Sequence, residues 1–249
     1  MCFALAGLNW ACGSKPGRAN RSLPRVKPAA IDASMVSKVT GTIFFHGDPP
    51  HLPPILMDKD PACVKLYHGQ RAHVVDGEVN SNGTLPNVFV YVEKGGEQYV
   101  FTPPTQPAVL DQQGCMFKPH VLGLMVGQVL EVKNSDPTTH NVHTLAKNNP
   151  QWNISQVPGA PPLEERFLHP EIMVPLACSQ HPWMTCYLGV TSNPFYAVTG
   201  SEGTYALKGL PPGAYTIAAW TATFGTKRRQ TTVGPKQTIK LNFTFGAYP

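Results

Sequence analysis

The chain has 249 residues, of which 26 are proline and 22 are glycine, while only 14% are charged. Proline at about twice its usual share interrupts helices repeatedly, which excludes a helical bundle, a coiled coil and a doubly wound α/β sheet. With 42% hydrophobic residues the chain can bury a core. Its length suits one large all-β domain or two small sandwiches. We therefore expect an all-β fold with many loops and few or no helices.

The net charge of +5 is concentrated near the amino terminus. Residues 12–38 hold six lysines and arginines against Asp32, so residues 39–249 carry equal numbers of basic and acidic side chains. The folded part thus lacks the basic surface of a nucleic-acid-binding protein, and we expect no nucleic-acid partner. The basic, Pro/Ala-rich stretch 12–38 is typical of a tether.

A short apolar run precedes this tether. Residues 1–11 end in a small residue before Cys12-Gly-Ser, and this resembles the end of a truncated bacterial lipoprotein signal. The resemblance implies that Cys12 carries a lipid and anchors the protein to a membrane, in the periplasm or at the cell surface. A frayed terminus with an incidental cysteine is the alternative.

Three elements are predicted in residues 39–106. Residues 39–46 are β-branched and aromatic and end in Gly-Asp-Pro-Pro, which predicts a strand and its turn. The pair Asp60-Pro61 supplies an N-cap and a first-turn proline for a helix of two turns. Residues 87–92 predict a buried strand before a Gly-Gly turn.

The sharpest motif follows in the next stretch of the chain. The run Cys178-Ser-Gln-His181-Pro-Trp-Met184 has the form C-x2-H-x2-M, and His140-Asn-Val lies upstream of it. One thiolate, two imidazoles and one thioether form the ligand set of a blue copper site, in which a weak axial thioether tunes the potential. Zinc also binds Cys and His. Because a thioether is a poor zinc ligand, copper is the favoured metal.

Residues 107–191 resemble the cupredoxins, most closely amicyanin and plastocyanin. The likeness runs from Gly-Gln-Val-Leu-Glu-Val-Lys-Asn at 127–134, through the His-Asn-Val run, to the cysteine loop. It implies a Greek-key sandwich and one type 1 copper, bound by His140, Cys178, His181 and Met184.

The cupredoxin resemblance also implies a docking surface. In that family the edge of the second histidine, here His181, meets solvent within an apolar patch to which redox partners bind. Trp183, Pro182 and Leu145 are the candidates for this patch, and plain loop packing is the alternative for them.

The last part of the chain predicts strands separated by turns. Residues 203–209 and 215–220 flank Leu-Pro-Pro-Gly, and residues 238–245 alternate between apolar and polar. Residues 198–217 resemble the carboxypeptidase regulatory-like (transthyretin-like) β-sandwich.

In that family two earlier strands, of the kind predicted at 39–46 and 87–92, come shortly before this turn. The resemblance therefore implies that 39–106 and 192–249 form one discontinuous regulatory-like sandwich, with the cupredoxin domain, 107–191, inserted. Two sequential sandwiches are the alternative.

The remaining cysteines and histidines suggest fewer roles. Cys63, on the predicted helix, and Cys115, at the start of the insertion, form a candidate disulfide in an oxidising envelope. We expect Cys186 to be a buried free thiol. His120 and His143 could form a second metal site, and hydrogen-bonded or surface histidines are the alternative.

Taken together, these patterns predict a blue copper protein that transfers single electrons in the bacterial cell envelope. Its partner would be a redox protein, such as a cytochrome or a larger membrane complex. An envelope copper-binding or copper-storage protein is one alternative, and a cell-surface adhesion or carbohydrate-binding module is another. We expect no enzyme, because the sequence shows no Ser/His/Asp order, no placed carboxylate pair and no phosphate-binding glycine loop.

Overall fold

The computed structural model of the protein describes residues 30–246, which form 17 strands and one short helix. The predicted all-β class is confirmed. The predicted signal at 1–11 and its Cys12 lie outside the described residues. Within 30–246, no helix combines the length and apolar character needed to span a membrane.

The strands fall into three groups along the chain. The first group, which encloses the helix α1 (Pro61–Leu66), consists of β1 (Ser37–His46) and β2 (Phe89–Lys94). The central group consists of β3 (Ala108–Gln112), β4 (Phe117–Lys118), β5 (Val121–Met125), β6 (Val129–Asn134), β7 (His140–Thr144), β8 (Asn153–Gln156), β9 (Leu163–Arg166), β10 (Glu171–Ala177) and β11 (Thr185–Thr191). The last group consists of β12 (Tyr196–Val198), β13 (Thr204–Leu210), β14 (Gly213–Thr221), β15 (Gly225–Val233), β16 (Thr238–Lys240) and β17 (Phe243–Gly246).

The first and last groups together form one sandwich, which we call the outer sandwich. One sheet has the order β13-β1-β16, with β17 also paired to β1, and the other has the order β12-β2-β14-β15. Alternating residues of these strands, such as Val39 and Ile43 of β1 and Phe243 and Phe245 of β17, fill the core between the sheets. The first and last groups are therefore held together although they lie far apart in sequence.

The central group forms the inner sandwich. Its two sheets have the orders β5-β11-β10-β7-β8 and β4-β3-β6-β9, and in residues 30–246 these strands pair only with one another. Leu110, Leu130, Leu176 and Leu188 are among the buried residues of its core. The pairing is thus nested along the chain rather than sequential.

The long connection from β1 to β2 leaves the outer sandwich and covers the inner one. Ile55, Met57 and Cys63 belong to the buried core of the inner sandwich, and residues on either side of α1 pack against that core. Chain order alone predicts that this connection belongs to the regulatory-like domain. Its apolar side chains are buried against the inner sandwich, to which the Cys63–Cys115 disulfide also fastens it.

Two glycines allow the sandwiches to pack closely. The rings of Phe89 and Tyr196, from the outer sandwich, lie against the backbone of Gly189 and Gly123 of the inner one, where a β-carbon would overlap the rings. Phe89 is fully buried there, in a cluster with Tyr91, Val121, Met173 and Ala218. The contact between the sandwiches is therefore a closely packed layer with a buried apolar cluster.

Replacing Gly189 by alanine should destabilise the protein. The added methyl group collides with the buried Phe89 ring, and overpacking of this kind costs about 1–3 kcal/mol of unfolding free energy. Gly200→Ala is the matched control, because a β-carbon at Gly200 meets no atom within 4 Å. Urea unfolding measures both variants, and equal stability of the two would contradict the packed interface.

Candidate metal centre

His140 is the first residue of β7 and has no exposed surface. Asn134 shapes the turn before it: its Nδ2 donates to the Thr138 carbonyl at 3.0 Å, and its Oδ1 accepts from the Asp136 N–H at 3.1 Å. This turn directs the Asp136 carboxylate back to His140, where Oδ2 lies 2.8 Å from Nε2. The other ring nitrogen, Nδ1, faces His181.

The loop after β10 carries the other predicted ligands. The Cys178 N–H donates to the Met184 carbonyl at 3.0 Å, and the Met184 N–H donates to the His181 carbonyl at 2.8 Å. Asn141 fixes the start of the loop, since its Oδ1 accepts from the Ser179 N–H at 2.7 Å and lies 3.2 Å from the Cys178 sulfur. These bonds close a tight loop between two strands.

Three of the four predicted ligands converge in a buried pocket. His140 Nδ1 lies 2.9 Å from His181 Nδ1, and Cys178 Sγ lies 3.6 Å from His181 Nδ1. The three potential ligand atoms all lie within 4.8 Å of one another. Met184 ends the same loop, is fully buried and packs with Cys178 in the inner core.

Both imidazoles are held by carboxylates that the sequence analysis did not assign to the site. His181 Nε2 lies 2.8 Å from Asp60 Oδ2, as His140 Nε2 does from Asp136 Oδ2. An ionised carboxylate can only accept, so each Nε2 donates and each Nδ1 is left toward the ligand cluster. Burial raises the pKa of both carboxyls, but hydrogen bonds from the imidazoles and from backbone N–H groups outweigh it and lower both pKa values.

These contacts also set the protonation of the ligands. Burial lowers the pKa of His140, but its bonds to Asp136 and Cys178 outweigh this effect and raise the pKa to about 9. Burial raises the pKa of Cys178, but the His140 imidazole and backbone N–H groups outweigh it and lower the pKa to about 6. Near neutral pH the metal-free site therefore holds a thiolate beside an imidazolium.

A disulfide borders the pocket. Cys63 and Cys115 are bonded, with their Cα atoms 5.7 Å apart. The Cys63 sulfur lies within 4.8 Å of ligand atoms of Asp60 and His181, and the Cys115 sulfur lies within 4.8 Å of ligand atoms of Asp136 and His140. The disulfide thus links α1 to the turn between β3 and β4, directly beside the two histidines.

The expectation of a solvent-exposed His181 edge is wrong. His181 is only 4% exposed, because Asp60 covers its Nε2. Trp183 is half-buried: its ring centre lies 5.1 Å from that of His181, and its Nε1 donates to the Cys115 carbonyl at 3.0 Å. Pro182 and Leu145 are exposed.

The other predicted residues lie apart from the cluster. His120 Nε2 is bonded to Asp76 at 2.7 Å, at the border of the two sandwiches, and His143 is half-buried in β7. Neither belongs to a group of metal-binding side chains in residues 30–246. Cys186 is a buried free cysteine, as expected, and burial raises its pKa well above the ordinary value.

The donor set fits copper. A thiolate and two imidazole nitrogens, with a thioether in the same loop, are the soft and intermediate ligands that copper prefers. Structural zinc sites are completed by a fourth thiolate, imidazole or carboxylate. Here the nearby sulfurs of Cys63 and Cys115 are bonded to each other, and the two nearby carboxylates accept from the imidazoles.

Ultraviolet thiolate absorbance should separate Cys178 from Cys186, the two free cysteines of residues 30–246, in the metal-free protein. We expect it to rise with pH through about 6, because the thiolate form of Cys178 is stabilised. Cys178→Ser should abolish this transition, and Cys186→Ala, the control, should leave it unchanged because that thiol stays protonated. A transition found only near the ordinary cysteine pKa of about 8.5 would contradict this geometry.

One family model matches a segment at the carboxyl-terminal end of the chain. Residues 189–246 match the family model of the carboxypeptidase regulatory-like domain, so the predicted resemblance is confirmed over that range. No curated protein matches the chain.

Similar solved structures include copper proteins. A Cu-containing nitrite reductase from Thermus scotoductus SA-01 is 19% identical with a TM-score of 0.33, covering 41% of this chain and 25% of its own. A purple cupredoxin from Nitrosopumilus maritimus is 19% identical with a TM-score of 0.29, covering 34% and 98%, respectively. An oxidised amicyanin variant is 16% identical with a TM-score of 0.31, covering 41% and 97%. The chain thus spans a quarter of the reductase and nearly all of each small cupredoxin.

Proposed function

We propose that the protein is a blue copper protein that transfers single electrons in the bacterial cell envelope. The observation that carries this proposal is the convergence of the Cys178 sulfur with the Nδ1 atoms of His140 and His181 in a buried pocket. Copper, when bound, would supply one-electron chemistry by alternating between Cu(I) and Cu(II).

The residues of the site would serve this function by holding one geometry. Cys178, His140 and His181 would hold copper, and Met184 would be its weaker fourth ligand. The ligand atoms face one another, and Asn141, Asp136 and the backbone of the loop restrain them. Ligands that move little between two oxidation states suit electron transfer rather than catalysis on an organic substrate.

An envelope location agrees with the disulfide, since such bonds persist in oxidising compartments. A lipid on Cys12 would tether the folded part to a membrane through residues 12–38. The redox partner would be another protein, and it could contact the exposed apolar residues Pro182, in the cysteine loop, and Leu145, beside β10.

A second candidate function is copper binding or storage in the envelope. The covered edge of His181 favours it, because a closed imidazole edge hinders electron exchange with a docked partner. The same ligands would then hold copper as Cu(I) without cycling.

Titration of purified protein with Cu(II) tests the proposal. We expect an intense visible thiolate-to-copper band and a reversible voltammogram. Cys178→Ala should lose the band because the thiolate is its source, whereas Cys186→Ala, the matched control, removes a buried thiol outside the cluster and should keep it.

The outcomes separate the candidate functions. A colourless complex that does not cycle would overturn electron transfer in favour of storage. No copper binding at all would overturn both copper functions and leave the adhesion or carbohydrate-binding module.

A further inference from the structure

Asp60 uses its two carboxylate oxygens for two partners. Oδ1 caps α1 by accepting from the backbone N–H groups of Ala62 at 2.8 Å and Cys63 at 3.3 Å. Oδ2 accepts from His181 Nε2 at 2.8 Å, and the Thr138 hydroxyl lies 3.4 Å from the same oxygen. The environment of a predicted copper ligand is thus completed by a residue 121 positions earlier in the chain.

The helix that carries Asp60 is fastened to the inner sandwich. Cys63 is bonded to Cys115, and the Tyr67 hydroxyl donates to the Gly114 carbonyl at 2.7 Å. The N–H groups of Gly114 and Cys115 donate in turn to Asp136 at 2.7 Å each. The loop at Gly114 and Cys115 therefore connects α1 with Asp136, the residue whose carboxylate accepts from His140.

We infer that Asp60 is a positioning residue for His181 and that the Cys63–Cys115 disulfide keeps it in place. Its carboxylate fixes the Nε2–H form of the ring, which leaves the Nδ1 lone pair toward the metal position, and it shields the ring edge from water. A carboxylate that accepts a hydrogen bond from a metal-binding histidine orients the imidazole and raises its basicity. The effect on bound copper rests on the proposed function, but the position of Asp60 can be tested without metal.

The substitution Asp60→Asn removes the carboxylate that faces His181 but keeps a side chain that can cap α1. Asparagine is as good an N-cap as aspartate, so α1 should keep its start. It has only one oxygen, and when that oxygen accepts from the helix, its NH₂ group faces His181 Nε2 and cannot accept from it. The ring should then switch to the Nδ1–H form, which opposes metal binding.

Nitrogen-15 NMR of the imidazoles in metal-free protein reads this switch directly. We expect the Nε2–H form of His181 in the wild type and the Nδ1–H form in Asp60→Asn, recorded above the His140 pKa of about 9, where His140 no longer donates a proton to His181 Nδ1. Asp58→Asn is the matched control: Asp58 is exposed, and its replacement removes the same charge two residues away without touching the ring.

The copper-loaded protein supplies a second readout. Loss of the carboxylate should weaken Cu(II) binding by about 10–100-fold and raise the midpoint potential, because a less basic imidazole stabilises Cu(II) less. The Asp58→Asn control should match the wild type in both. Competition with a chelator and voltammetry measure the two effects.

The disulfide is tested by the double variant Cys63→Ala with Cys115→Ala. Without the link, the His181 Nε2–H should exchange faster with water, as NMR of the metal-free protein can measure. Should this variant not fold, the inference stands or falls on Asp60→Asn.

The inference is overturned if Asp60→Asn keeps the Nε2–H form and the copper affinity of the Asp58→Asn control. A tautomer switch in a protein that binds no copper would instead leave the role of Asp60 intact and contradict the proposed function.

Discussion

The hydrogen bonds between two carboxylates and two imidazoles are the interaction on which the site depends. A thiolate and two ring nitrogens that face one another in a buried pocket form a metal site only if their protons point away from the centre. Asp136 and Asp60 accept from Nε2 of His140 and His181, so each Nδ1 faces the centre, and copper would replace the second proton that the raised pKa of His140 keeps on its ring. The Nδ1 atoms of His140 and His181 and the Cys178 sulfur then lie close together at the centre of the site.

The nested fold supplies these two carboxylates from different parts of the chain. Asp136 comes from a turn of the inner sandwich, while Asp60 comes from the connection between two strands of the outer one. The Cys63–Cys115 disulfide links the β1–β2 connection to the inner sandwich. The rings of Phe89 and Tyr196, packed on Gly189 and Gly123, hold the two sandwiches together. The closed cluster of potential metal ligands therefore depends on both sandwiches.

Much of this could be predicted from the sequence, because the informative residues are close together in it. Proline and glycine content predicted the β fold, and the spacing of Cys178, His181 and Met184 predicted a ligand loop. Asp60 could be recognised only as a helix cap, since nothing local relates it to a histidine 121 residues later. For the same reason the family pattern predicted an open His181 edge, which the long β1–β2 connection in fact covers.

X-ray absorption at the copper edge of the loaded protein would test the central claim most directly, because it counts the atoms bound to the metal. The account predicts a first shell with one short sulfur contact and two nitrogen contacts, from Cys178, His140 and His181. A first shell of nitrogen and oxygen atoms without sulfur would contradict it.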